Sequence, residues 1–352
     1  MTISPRFPIF LFSALAVGLA SAGATAQSAA EKFYEGKQIT LLMGSAAGGG
    51  YDVYGRIVVK HMEKYLPKGT RFLVKSMPGA SGVVMANYLV NAVEADGLTL
   101  GLCQREAPFE PIFTPKNSQA KFDPRKLEWI GSPNQEFGMF YVATASGVAS
   151  VEDAMQKELK LGASGGGAAQ TIVIPRIVNA MIGTKFKMIP GYTSGQEVLL
   201  ALDRGEVDGR FATGWAGVEP TQAGALIAAG KARLLMTFSA ERKPQVGNLP
   251  TTLEYVKKPE DRAVIELLMA PQIFGRPIFA PPGVPADRLA LLRDAFDKAL
   301  KDPELIAEAE KLKFDVTPVQ GLALNEAIRK VYAMPEAVLS RTVEMMDAAA
   351  AN

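Results

Sequence analysis

The stretch GSAAGGGYDVYGR, Gly44 to Arg56, follows the apolar run ITLLM (Ile39–Met43) and leads into VVKHMEKYL, where Val53, Ile57 and Met62 recur at helical spacing. Three consecutive glycines weaken both flanking elements and are tolerated mainly where backbone must approach something closely. A strand that ends in bare glycine amides facing a helix N-terminus offers partial positive charge to an anion. Asp52 is expected as the helix N-cap, accepting amide hydrogens of the first turn. A nucleotide is a poor fit, because no Lys-Ser/Thr follows the glycines and the third glycine of a dinucleotide fingerprint would fall on Val53. A carboxylate suits the loop better.

GASGGGAAQT, Gly162 to Thr171, repeats the device further along the chain. Around these two loops strands and helices alternate: RFLVK, a helix VVMANYLVNAV and TLGLC after the first loop; KFKMIPGY, EVLLALDRG, VDGRFA, AGALIAAGK and ARLLMTF after the second. Such alternation implies α/β lobes with mainly parallel sheets covered by helices. Two series imply two Rossmann-like lobes. The expected division is residues 27–137 plus 277–352 for a discontinuous first lobe and 138–276 for the second. The crossings, near Phe137–Val142 and Ile273–Phe279, would form a two-strand hinge.

The chain of 352 residues is 48% hydrophobic, enough for a large core. Lys and Arg number 38 against 36 Asp and Glu, without a dense basic cluster, so nucleic acid is not an expected partner. The opening segment carries Arg6, an apolar core from Phe7 to Ala20 and the small-residue end Ala24-Thr25-Ala26. This pattern reads as a secretory signal over residues 1–26, too short in its apolar core to serve as a span of about 20 residues. The one cysteine, Cys103, permits no intramolecular disulfide, and no cysteine stands at the cleavage site for a lipid. The expected product is a soluble periplasmic monomer.

Enzyme chemistry lacks its usual parts. Ser164 sits at the nucleophile position of a G-x-S-x-G match, so an exported serine hydrolase is the rival reading. Its histidine should follow the serine, yet the only one, His61, precedes it. One His and one Cys cannot assemble a zinc site, and no acidic run has calcium-loop spacing. No metal, cofactor or catalytic residue is therefore expected.

Arg105 and Arg210, each at or near a strand end, are candidate carboxylate partners through bidentate pairing. Trp215 follows VDGRFA at the end where open α/β sheets bind ligands. With Tyr51 and Tyr192 it suggests a cleft with aromatic walls and an aromatic or bulky carboxylate.

The blocks FYEGKQITLLMGSAAGGGYDVYGR, MPGASG (Met77–Gly82), ADGLTL (Ala95–Leu100), GYTSGQEVLLALDRGEVDGRF and APPGVPADRLALLRDAFDKALKDPE occur in an order and spacing that resemble the solute receptors of tripartite tricarboxylate transporters, the Bug family. The family opening has Pro-Gly-Gly, two variable residues and Asp after the first strand; Gly48, Gly49 and Asp52 match, and Ala47 replaces the proline. The resemblance implies a type II periplasmic binding fold that closes on a small organic acid and hands it to a cation-coupled pair of large and small membrane permease subunits. A sensing role with a signalling partner on the same fold is a further alternative. The resemblance also implies that the first loop, Ser45, Ala47, Gly48, Gly49, Gly50 and Tyr51, contacts one ligand carboxylate through backbone and water. On the second lobe many members place Ser and His where this chain has Ala168 and Thr171. Ser164, the amides of Gly165, Gly166 and Gly167 and the Thr171 hydroxyl remain available, and Tyr192 matches a family tyrosine at the cleft.

Overall fold

The computed structural model describes Met1, residues 27–215 and residues 222–351. The expected signal at 1–26 thus falls outside the described residues, apart from Met1. Eleven strands are described: β1 (Gln38–Met43), β2 (Arg71–Ser76), β3 (Thr99–Leu102), β4 (Glu128–Ser132), β5 (Gly138–Ala143), β6 (Leu159–Ser164), β7 (Phe186–Tyr192), β8 (Gly209–Ala212), β9 (Ala232–Phe238), β10 (Ile278–Ala280) and β11 (Val319–Gln320). They form a six-stranded sheet, β11-β4-β10-β3-β1-β2, and a five-stranded sheet, β7-β6-β8-β5-β9.

The architecture is the expected two-sheet α/β arrangement, but both sheets are mixed. β1 pairs in parallel with β2 and β3, and β6 with β7 and β8. β10 instead runs antiparallel to both β3 and β4, and β5 antiparallel to both β8 and β9. The reversed strands are those that follow the two crossings between sheets. A chain arriving from the other sheet need not make the right-handed crossover that keeps consecutive strands parallel. β11 is also antiparallel to β4, at the sheet edge.

The strand sequences explain their positions. Ile39, Leu41, Leu42 and Met43 of β1 are buried on both faces, as suits a strand inside a helix-covered sheet. β2 alternates exposed and half-buried residues and takes the edge. Each sheet carries apolar packing on two sides, with Ile130, Phe296 and Leu292 on one side of the first sheet and Trp129, Phe274 and Phe279 on the other. The second sheet has Phe140, Phe186 and Phe211 on one side and Met139, Tyr141 and Leu202 on the other.

The crossings run side by side. Glu136 N–H donates to the Gln272 carbonyl at 2.9 Å, and the Ser132 hydroxyl lies 2.7 Å from the Asn134 carbonyl and 2.8 Å from that of Phe274. Gly275, at φ +30°, lies against the Asn134 carbonyl, where a Cβ would overlap it.

Two expectations change here. Asp52 is not the N-cap: the helix runs Gly50–Met62 and Gly49 takes that position, leaving Asp52 third in the first turn. Starting the helix three residues earlier turns the carboxylate inward, where it accepts from Gly48 N–H at 3.0 Å and pairs with Arg56 at 3.0 Å. The tail was expected to stay with the first sheet and to form two helices. It forms Ala286–Ala299, Pro303–Lys311, Gly321–Tyr332 and Glu336–Ala351, and the last packs on Gln170–Ile182 and Pro259–Met269 of the second sheet. Its Met345, Met346, Ala349 and Ala350 complete an apolar cluster there, which the first sheet does not offer them.

Candidate functional site

A cavity of about 330 Å³ lies between the sheets, where the crossings meet the carboxyl ends of β3 and β8. From the first sheet come Tyr51, in the opening turn of Gly50–Met62, and Gln104, Arg105 and Glu106, just past β3. The second sheet gives Tyr141 of β5, Arg210 and Ala212 of β8, and Thr213 and Gly214 beyond it. Glu136 and Arg276 come from the crossings themselves. This is the end of an open α/β sheet at which ligands bind.

Three guanidinium groups share this small space. Arg105 is 9% exposed and pairs with Glu106 at 2.8 Å; its Nη2 donates to the Thr213 carbonyl at 2.9 Å, a bond from one sheet to the other. Burial alone would lower its pKa, but Glu106, Tyr51 and Glu136 outweigh burial and hold the cation firmly charged. Arg276 pairs with Glu136 at 2.7 Å, both side chains nearly fully buried, and lies 4.0 Å from the centre of the Tyr54 ring and 5.2 Å from that of Tyr51. Arg210 faces Tyr141 across the β5–β8 pair and donates from Nη1 to the Gly195 carbonyl at 2.9 Å.

Several donors here are not satisfied. The Nε atoms of Arg210 and Arg276 and the Tyr141 hydroxyl are buried without a hydrogen-bond partner. Buried polar groups in folded proteins are otherwise almost always paired. Burial raises the Tyr141 phenol pKa, with Arg210 opposing the rise. Burial likewise raises the Tyr51 phenol, which accepts from Arg105 N–H at 3.3 Å. All of these phenols remain neutral hydrogen-bonding groups near neutral pH.

Tyr51, Arg105 and Arg210 are the anticipated site residues that the structure brings together. Ser45, Ala47, Gly48, Gly49 and Gly50 form the turn before Tyr51 without lining the cavity, and Ser45 Oγ is buried without a partner. Gly50 comes nearest, since a Cβ there would stand 3.9 Å from Arg276 Nη2. On the second sheet Ser164, Gly165, Gly166, Gly167, Ala168 and Thr171 also stay outside the lining. Thr171 instead donates its hydroxyl to the Ser164 carbonyl at 2.6 Å, and a Cβ on Gly167 would stand 3.2 Å from the Ala350 carbonyl of the last helix. Tyr192 ends β7, level with Ser164, and Trp215 stacks on Phe137 with centroids 6.1 Å apart. The aromatic lining of the cavity is therefore Tyr51 and Tyr141.

Glu136, Tyr141 and Arg276 were not anticipated. Their signal was present as isolated polar groups in the apolar crossing runs QEFGMFYVA and IFGRPIFAPP. A larger groove, about 480 Å³, adjoins the crossings around Met269, Ile273 and Val331. None of its lining residues has a buried side-chain polar atom without a partner, so the smaller cavity is the stronger candidate.

The hydrolase reading lacks its base. His61 is 1% exposed on the first sheet's helix, with Nε2 at 2.9 Å from Glu308 and Nδ1 at 3.6 Å from Asp302. Ser164 ends β6 of the other sheet. Among the described residues no helix is long and apolar enough to cross a membrane.

Solved structures share the fold. A TctC solute-binding protein from Polaromonas aligns at TM-score 0.65 and 20% identity, over 88% of this chain and 98% of that one. The adipate-bound Rpa4515 protein of R. palustris aligns at 0.57 and 19% identity, over 89% and 97%. The malate-bound MatC protein of Rhodopseudomonas palustris aligns at 0.56 and 18% identity, over 88% and 98%. No curated protein matches the chain. The family model described as tripartite tricarboxylate transporter family receptor matches residues 55–339. The chain therefore belongs to the receptors of the tripartite tricarboxylate transporters, a family of periplasmic solute-binding proteins and not of enzymes.

Proposed function

We propose that this receptor encloses a small organic acid in the cavity between its sheets and delivers it to a cation-coupled transporter with a large and a small membrane subunit. The supporting observation is the set of three guanidinium groups, from the first sheet, the second sheet and a crossing, that face one cavity of about 330 Å³. Three cations against the carboxylates of Glu106 and Glu136 leave the lining net positive. Two relatives of the same fold hold malate and adipate, acids of a size that such a cavity admits.

In this reading the parts of the chain joined to each sheet act as lobes, approximately 27–137 with the returning tail up to Tyr332, and 138–276 with the last helix, which turn about the paired crossings. The Arg105 bond to Thr213 is then a contact of the closed form. The N-terminus of Gly50–Met62, which brings Tyr51 to the cavity, adds about 0.3–1 kcal/mol when exposed. Micromolar affinity needs about 8 kcal/mol, so charge-assisted bonds from the arginines must carry much of the rest. The largely polar lining favours a compact acid over a bulky aromatic one. The chain acts after export, as a soluble monomer without a lipid anchor.

Calorimetry with mono-, di- and aromatic carboxylates tests this. A compact acid is expected to give saturable heats. Absent heats throughout the panel would overturn the proposal.

A further inference from the structure

The three arginines are not equivalent. Arg105 and Arg276 are each held by a carboxylate of the protein, Glu106 at 2.8 Å and Glu136 at 2.7 Å. Arg210 makes no ion pair among the described residues. Among the described residues its Nη1 donates to the Gly195 carbonyl, its Nε is buried without an acceptor, and the hydroxyl of the neighbouring Tyr141, which Arg210 influences, is likewise buried without a well-placed partner. We propose that Arg210 with Tyr141 is the anchor for the ligand's acidic group, and that the cavity selects acids carrying one net negative charge. The inference rests on the organic-acid reading above and deepens it.

The charge argument is direct. One carboxylate on Arg210 gives the unneutralised cation its counter-ion and supplies acceptors to two orphaned donors. A second carboxylate would have to displace Glu106 or Glu136 from its arginine, or lie buried beside them with no cation of its own. A neutral hydroxyl or amide in place of the second acidic group avoids that cost.

Gly195 is the positioning residue. It opens the helix Gly195–Asp203, whose N-cap Ser194 accepts from Glu197 N–H at 3.3 Å, and its φ is not positive, so alanine fits the backbone. A Cβ at Gly195 would nevertheless overlap the Arg210 guanidinium, whose Nη1 and Nη2 edge abuts this glycine. Gly195→Ala thus keeps the charge and moves it. Because alanine is the better helix former, the variant should melt no lower than the parent protein.

The test uses the full mature chain and calorimetry with succinate and adipate, their half-amides and their diamides. The half-amides are expected to bind at least as tightly as the diacids, with the diamides weaker by about tenfold or more, the scale of a bond to a charged group. Arg210→Gln and Gly195→Ala should each weaken half-amide binding by about tenfold or more, the second without a lower melting temperature. Tighter binding of a diacid than of its half-amide overturns the charge selection. A smaller loss in either variant, while the acids still bind, overturns the anchor and leaves the receptor reading standing. No binding by any acid overturns both.

Discussion

The two glycine turns look alike in sequence but are closed by different chemistry. In the first, the Asp52 carboxylate reaches back to Gly48 N–H and binds Arg56, and the same turn presents Tyr51 to the cavity. In the second, a neutral hydroxyl from Thr171 holds the Ser164 carbonyl, and the loop rests near the end of the last helix. A repeated glycine pattern therefore specifies a strand-to-helix turn and not its use. What each turn serves depends on the side chain that closes it and on what packs outside.

Asp52→Ala should produce the largest change. Asp52 is 4% exposed, and its loss leaves Gly48 N–H without its acceptor and frees Arg56, for about 2–3 kcal/mol by denaturant unfolding. A cost under about 0.5 kcal/mol, the level of an ordinary surface change, would break the contrast. Glycine replacements sharpen it: Gly48 and Gly165 sit at φ +80° and +93°, so alanine costs roughly 1–2 kcal/mol at either. Gly165→Ala should cost more, because its Cβ would stand 3.0 Å from that of Ala169 whereas nothing lies within 4 Å at Gly48.

Thr171→Val comes next, at about 1 kcal/mol for one neutral hydrogen bond. Acid then separates the turns. The hydrogen bond from Arg56 holds the Asp52 pKa below its ordinary 3.8, against the opposing effect of burial. Its folded value lies below the unfolded one, so its contribution is full above pH 3.8 and fades as pH falls further through the folded pKa. Unfolding curves below about pH 4 should converge for the parent protein and Asp52→Asn, while the Thr171→Val difference persists. Arg56→Ala should have the smallest effect, about 0.3–0.5 kcal/mol, as Arg56 is half exposed and the pair is of the i,i+4 kind.

Local pattern carried much of the fold. The apolar runs marked β1, β3 and β9, and the crossing segments were recognisable because apolar, proline-marked chain returned after the second series of elements. Strand direction was not legible, since β5 and β10 reverse only through pairing with residues far away in sequence. For the site, strand-end position pointed to Arg105 and Arg210, which line the cavity, but gave no sign that Trp215 would stack on Phe137. Arg276 and Glu136 are 140 residues apart, and no spacing rule announces that they will pair. Arg210's freedom from carboxylates is likewise a property of the packed chain, invisible before Gly195 and Tyr141 are placed beside it.

The last helix gives the molecule a third passage between its sheets, after those leading into β5 and β10. An odd number of passages puts the first and last described helices on opposite sides: Ala29–Tyr34 packs with the first sheet, Glu336–Ala351 against the second. Dyes attached to these two helices would accordingly form a molecular ruler, reporting any swing between the halves as a change in energy transfer without a label in the cleft.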